Sequence, residues 1–180
     1  MLVNIFRKMK GNTQSPPRVS SREIFLSWAG GVAGIATVAF LNDHYIAGTD
    51  RLLIIASFGA SAVLIFGAIK SPLAQPRNLV GGHILSALVG VTVLQLLHPW
   101  MWLAAGVAVG TAIAAMHATK TLHPPAGATA LIAVIGGQKI HDLGYFYALM
   151  PVASGAVILL VVALIFNNIP ESRKYPEYWL

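Results

Sequence analysis

Thr121-Leu122-His123-Pro124-Pro125-Ala126-Gly127-Ala128-Thr129-Ala130-Leu131-Ile132-Ala133-Val134-Ile135 decides how the rest of the chain is read. The two prolines stop any helix arriving from the N-terminal side and suit the first turn of one that leaves. From Pro124 the segment is apolar as far as Ile135, and Gly136-Gly137 closes it. A dozen residues rise roughly 18 Å as a helix, whereas bilayer hydrocarbon is about 30 Å thick. The stretch is therefore expected to be a short membrane helix, its path completed by a funnel or by non-helical backbone lining a cavity.

Longer apolar runs lie on either side, over residues 24–45, 52–69, 79–97, 100–118 and 145–166. With 124–135 they make six crossings, so the expected fold is all-α, a polytopic transmembrane helix bundle. The composition agrees. Of 180 residues, 56% are hydrophobic and 10% charged, against about 25% charged in a soluble domain. There is too little polar surface to coat a soluble enzyme of this length. The absence of cysteine removes disulfides, thiolate metal sites and cysteine nucleophiles. The expected organisation is a disordered basic tail over 1–22, a transmembrane domain over 23–168 and a second tail over 169–180. The first tail has no apolar core of the kind a secretory signal needs.

Where the charge lies matters more than its total of +6, which is no nucleic-acid signal here. With the N-terminus inside, the inner segments hold Arg7, Lys8, Lys10, Arg18, Arg22, Lys70, Arg77, Lys120, Arg173 and Lys174. The outer loops hold Arg51 and Lys139. Ten cations against two orient the chain with both termini cytoplasmic. The expected location is the inner (plasma) membrane of a cell, with a plastid membrane as the second placement.

Gly59-Ala60-Ser61-Ala62-Val63-Leu64 returns 68 residues later as Gly127-Ala128-Thr129-Ala130-Leu131-Ile132. At the same offset Ser86-Ala87 falls on Ser154-Gly155. Small-residue runs also recur through close helix packing alone, but each copy has a proline-rich linker beside it. The chain then divides into two three-crossing units, and an odd number of crossings turns the second upside down. Inverted repeats with short helices are a transporter design in which helix starts face anionic groups near the midplane.

Ser57-Phe58-Gly59-Ala60-Ser61-Ala62, Ser71-Pro72-Leu73-Ala74-Gln75-Pro76-Arg77-Asn78, Gly81-Gly82-His83 and Thr121-Leu122-His123-Pro124-Pro125-Ala126-Gly127-Ala128, in this order, resemble the HPP family. The resemblance covers residues from about 20 to 168. It implies a small integral membrane protein of bacteria or plastids, of a kind linked to nitrite transport. The family is usually described with fewer spans than the six counted here.

The candidate site residues follow from the chemistry of a helix start. The turn of His123, Pro124, Pro125, Ala126 and Gly127 is expected to free backbone N–H groups with partial positive charge, which bind small anions. Thr121 precedes the turn, and Thr129 can add a hydroxyl. Ser57, Gly59 and Ser61 form the matching element of the first repeat, with the two serines one turn apart on one face; interhelical hydrogen-bond glue is the alternative for them. Gln75, Arg77 and Asn78 follow in the next loop, where Arg77 is either a selectivity charge or an ordinary inner anchor. His83, inside a span, is a functional candidate by position and could sense a proton; a neutral histidine packed between helices is the alternative. All six acidic residues are placed outside the membrane core, and there is no Ser-His-Asp or His-Glu-x-x-His pattern. An enzyme, a metal site and a cofactor are not expected. The expected function is membrane transport of a small monovalent anion, nitrite first, along a path between the two units. A non-transporting scaffold or regulatory subunit is the alternative. Gly30/Gly34 and Gly106/Gly110 each offer a Gly-xxx-Gly face, within the chain or in a homo-oligomer. Trp28, Trp100 and Trp102 suit the membrane interface.

Overall fold

The computed structural model describes residues 8–9, 13–46 and 55–180. Arg7, Lys10, Asp50, Arg51 and the predicted start of the second span at residues 52–54 lie outside the described residues. Within them the chain is helical, with no strand. Helix α1 is Ser21–Leu41, prolonged by a π-helical turn Asn42–Ile46. Helix α2 is Ser57–Gly67. A π-turn, Arg77–Gly81, leads into α3, Gly82–Leu97. Helix α4 is Met101–Ala118, α5 is Pro124–Ile135 and α6 is the four-residue Gln138–His141. A second π-turn, Ala148–Ala153, leads into α7, Ser154–Asn168.

Four of these units, 21–46, 77–97, 101–118 and 148–168, are long and apolar enough to cross a membrane, while α2 and α5 are shorter apolar helices. The order is thus long, short, long, then long, short, long. The ends follow local chemistry. Ser20 caps α1 by accepting the Glu23 amide, the Ser-x-x-Glu signature of a helix start. Pro124 and Pro125 occupy the first turn of α5. Gly137, at φ +76°, lets the chain leave α5 in a conformation open to glycine. Helical structure begins at Arg77, two residues earlier than the apolar pattern indicates, because Pro76 serves as the residue before the first turn.

The interior is mostly apolar, with small side chains where helices meet and a few polar ones among them, and the outside also carries many large apolar side chains. Ala104, Ala108 and Ala112 are buried along one face of α4, whereas Val63, Leu96, Trp102, Leu149 and Ile165 are exposed. This is the surface of a protein solvated by lipid tails, where small residues allow helix contact.

The packing groups are not the two consecutive units that the repeat suggests. Helix α3 packs on α4 and α5, while α7 packs on α1 and α2. Taken as the expected three-helix units, each would thus lend its third helix to the other, and α2 meets α5 at the join. The Gly-xxx-Gly face of α1 serves this packing within the chain. A Cβ on Gly30 would lie 2.5 Å from the Phe66 ring, and one on Gly34 2.6 Å from it. Phe66 is buried and also meets the edge of Phe166. Gly34→Ala should therefore lower stability by about 2 kcal/mol, read as a lower midpoint of thermal unfolding in detergent. Gly59→Ala, whose Cβ meets nothing, should leave the midpoint unchanged.

Candidate functional site

Helices α2, α3 and α5 meet around five buried polar side chains: Ser57, Ser61, His83, His123 and Thr129. His83 stands six residues after Arg77, about 9 Å along its helix. Its Nε2 is 2.7 Å from Ser61 Oγ and its Nδ1 is 2.7 Å from Thr129 Oγ1. His123 lies across from it, with ring centroids 5.0 Å apart and nearly edge to face. Its Nε2 is 2.9 Å from the same Ser61 Oγ, and its Nδ1 donates to the Leu73 carbonyl at 2.7 Å. Thr129 donates to Ser57 Oγ at 2.9 Å. The Phe58 ring meets His83 edge-on. Because Ser57 touches Thr129 while Ser61 touches His123, the first turns of α2 and α5 run past each other in opposite directions.

A second layer holds this arrangement. The Tyr147 hydroxyl donates to the Thr129 carbonyl at 3.1 Å. Asn78 donates to Leu122 O at 2.8 Å, and Arg77 to Thr119 O at 2.7 Å, tying the start of α3 to the strand of chain before α5. The Gly81-Gly82 pair lets that strand come close, since a Cβ on Gly82 would lie 2.7 Å from Thr121 O and 2.9 Å from the His123 Cβ.

The C-terminal segment clamps the turn that holds His123. Tyr175 donates to Ala74 O at 2.7 Å and Tyr178 to Pro72 O at 3.2 Å. Glu177 N–H donates to the Gln75 carboxamide at 2.9 Å, and that carboxamide donates in turn to Ile69 O and Ser71 O. Arg173 pairs with Glu23 at 2.7 Å and donates to Asn167 and Ser27. The expected tail over 169–180 is therefore packed structure around Tyr175 and Arg173. Burial pushes the Tyr175 hydroxyl above its ordinary range, so it stays a donor at any physiological pH. Tyr175→Phe leaves the Ala74 carbonyl without its donor and should cost about 1–2 kcal/mol, measurable by thermal unfolding.

Not all candidate residues gather. Gly59 is on the lipid-facing side of α2, bordering an apolar groove of about 680 Å³ against α1. Pro124 is exposed, Pro125 is buried in the helix start, and Gly127 faces a groove between α4 and α5. Thr121 bonds to Thr119. Gln75, Arg77 and Asn78 hold loops outside the cluster. The helix-start amides are also occupied. The N–H groups of Phe58, Gly59 and Ala126 donate to Ile55, Ala56 and His123 carbonyls, and prolines have none. The donors that remain are side chains. The sequence reasoning missed Tyr147 and the Asn167–Arg173 pair; the only sign of the pair in the sequence is an amide at the end of an apolar run with an arginine six residues on.

A family model described as HPP, transmembrane region, matches residues 16–176. A transmembrane protein of Dictyostelium discoideum is 46% identical over 180 residues, covering 98% of this chain and 58% of its own length. A second from the same organism is 40% identical over 183 residues, covering 99% of this chain and 64% of its own. The chain spans about three fifths of the length of these relatives. No solved structure matches.

Proposed function

The chain belongs to the HPP transmembrane family, and on that premise we propose that it transports a small monovalent anion, nitrite first, across a cell's inner membrane. The observation that carries this is the cluster of Ser57, Ser61, His83, His123 and Thr129, where two short helices meet inside an apolar bundle. Buried polar groups at membrane depth are costly and mark substrate paths. The cluster offers hydroxyl and imidazole donors, and no Asp or Glu among the described residues bonds to it. Such a lining suits an anion and would repel none. No acid–base pair for catalysis is proposed, and no cofactor.

The six-crossing, inverted-repeat architecture is part of this proposal, with 23–168 as the transmembrane domain. Several features support it. Helices α2 and α5 start at positions 57 and 124, close to the 68-residue offset, and the third helix of each unit opens with a π-turn. Ser61 and Thr129 occupy equivalent repeat positions, and they grip His83 at its two nitrogens. The start of α1, the 70–77 loop, residue 119 and the C-terminal segment are linked to one another by Arg173, Tyr175 and Arg77. That end, rich in cations, is assigned to the cytoplasm.

Transport requires the buried cluster to open in turn to each side. The exchanged third helices and the clamped 72–75 turn are the elements that would move. The test is nitrite flux into proteoliposomes containing folded, monodisperse protein, compared with nitrate, formate and chloride. Entry well above that of empty liposomes supports the proposal. Rates equal to those of empty liposomes for every anion would leave a membrane scaffold or regulatory subunit as the function.

A further inference from the structure

The hydrogen atoms of the cluster can be counted. Five contacts run in series: Leu73 O to His123 Nδ1, His123 Nε2 to Ser61, Ser61 to His83 Nε2, His83 Nδ1 to Thr129, and Thr129 to Ser57. A carbonyl only accepts, so His123 Nδ1 carries a hydrogen. If both rings are neutral, the rest follows. Ser61 donates to His123 Nε2, His83 Nε2–H donates to Ser61, and Thr129 donates to His83 Nδ1. The Ser57 hydroxyl must then turn and donate to Thr129.

The far end of the series has the opposite sense, because Thr129 is placed to donate to Ser57 Oγ. That sense requires His83 Nδ1–H to donate to Thr129 and Ser61 to donate to His83 Nε2. Ser61 then has no hydrogen left for His123, so His123 must donate from Nε2 as well as from Nδ1. A ring that donates from both nitrogens is an imidazolium. The 3.3 Å approach of Ser61 to Ser57 O, the longest contact, takes no hydrogen in either arrangement. The two arrangements therefore differ by one proton.

Converting one into the other moves hydrogens along the series and turns the Ser57 hydroxyl. As a proton bonds to Ser57 Oγ, the serine's own hydrogen passes to Thr129 Oγ1. The threonine's hydrogen passes to His83 Nδ1, the His83 Nε2 hydrogen to Ser61, and the Ser61 hydrogen to His123 Nε2. One proton enters, one more resides on His123, and every oxygen keeps a single hydrogen.

The surroundings decide what accompanies that proton. The rings face Ser57, Phe58 and Ser61 of α2, Thr129 of α5 and the Leu73 carbonyl. The nearest further titratable group in the hydrogen-bonded network is Tyr147, on the Thr129 carbonyl. The Glu23 carboxylate is paired with Arg173, Asp142 accepts from Gln138, and Asp43 lies beside His44. The Arg77 guanidinium is turned to Thr119 O. Among the described residues no carboxylate bonds to either ring, and an uncompensated buried charge is very costly. A small anion removes that cost.

We propose that the cluster is a one-proton site and that a proton and a monovalent anion occupy it together, making the protein an electroneutral proton–anion symporter. The proposal rests on reading this cluster as the transport site. It deepens that reading by naming the coupling ion.

The test uses proteoliposomes of the full chain with nitrite as probe, an internal pH dye, and subtraction of the rate in empty liposomes. Proton entry should match nitrite entry one to one. Uptake should rise about tenfold per unit fall in external pH while the proton site is unsaturated, and a valinomycin-set potential should not change it. Thr129→Val removes two links, among them the Thr129–Ser57 contact whose sense calls for the sixth hydrogen, so its residual uptake should lose the pH dependence. Nitrite entry that follows the potential and carries no proton would overturn the coupling and leave transport standing. No entry above empty liposomes would overturn the transport reading and the coupling with it. Histidine ¹⁵N spectra at high pH give a check without flux: His83 should be the Nε2–H tautomer and His123 the Nδ1–H tautomer. The same tautomer in both rings would contradict the series.

Discussion

The His123→Ala variant should pass nitrite no faster than empty liposomes do. Among the described residues, His123 is the side chain that joins the 72–74 turn to the α2–α3–α5 cluster, through Leu73 O on one side and Ser61 on the other. Alanine removes both bonds and leaves a buried carbonyl without a donor, at a cost of about 1–3 kcal/mol. The void left by the ring costs more. Since one or two kcal/mol is a large share of total stability, lost flux alone would be ambiguous. His123→Asn separates the causes, because its carboxamide nitrogen stands where imidazole Nδ1 does and can still donate to Leu73 O, but it cannot carry a proton as imidazole does. It should elute as a monodisperse protein, unfold near the wild-type midpoint and still lose most nitrite flux. Wild-type flux in folded His123→Asn protein would remove His123 from the transport site.

The second large effect is expected at Gly82, which bears no functional group at all. Its added Cβ would lie 2.7 Å from the Thr121 carbonyl oxygen and 2.9 Å from the His123 Cβ. The backbone it strikes is fastened to α3 by Asn78 on Leu122 O and by Arg77 on Thr119 O, so it cannot yield without breaking those bonds. Gly82→Val should cost about 3 kcal/mol, at the upper end for overpacking, and should part His83 from His123. Gly106→Ala is the control, since its Cβ meets nothing. A Gly82→Val protein with a wild-type unfolding midpoint would mean that the strand before α5 does not pack against α3 as described.

Much of the helix plan was legible because proline and glycine mark its ends. The segment 124–135 has the bounds of α5, set by Pro124-Pro125 and Gly136-Gly137. His83 and Thr129 stood out as polar groups in apolar runs, and the residues that the 68-residue offset pairs, Ser61 and Thr129, both bond to His83. The pairing of His83 with His123 was not legible, because 40 residues separate them and no periodic pattern joins them. Nor was the direction in which small residues face. Gly59 and Gly127 look alike in a run of small residues, yet both turn away from the cluster, and a helix apolar on all sides does not disclose its buried face. The exchange of third helices was hidden for the same reason. Backbone amides were expected to supply the donors at the helix starts. In fact nearby carbonyls take them, and the proline pair that makes the start recognisable also deprives it of N–H groups.

Access to Ser57 tests the transport site most directly. The chain has no cysteine, so Ser57→Cys introduces a single thiol of similar size where Thr129 meets α2. In proteoliposomes that take up nitrite, this thiol should react with a small water-soluble thiosulfonate, and nitrite should slow the reaction while sulfate does not. A thiol that stays unmodified throughout transport, or reacts at one rate with and without nitrite, would place the anion's path somewhere other than the cluster.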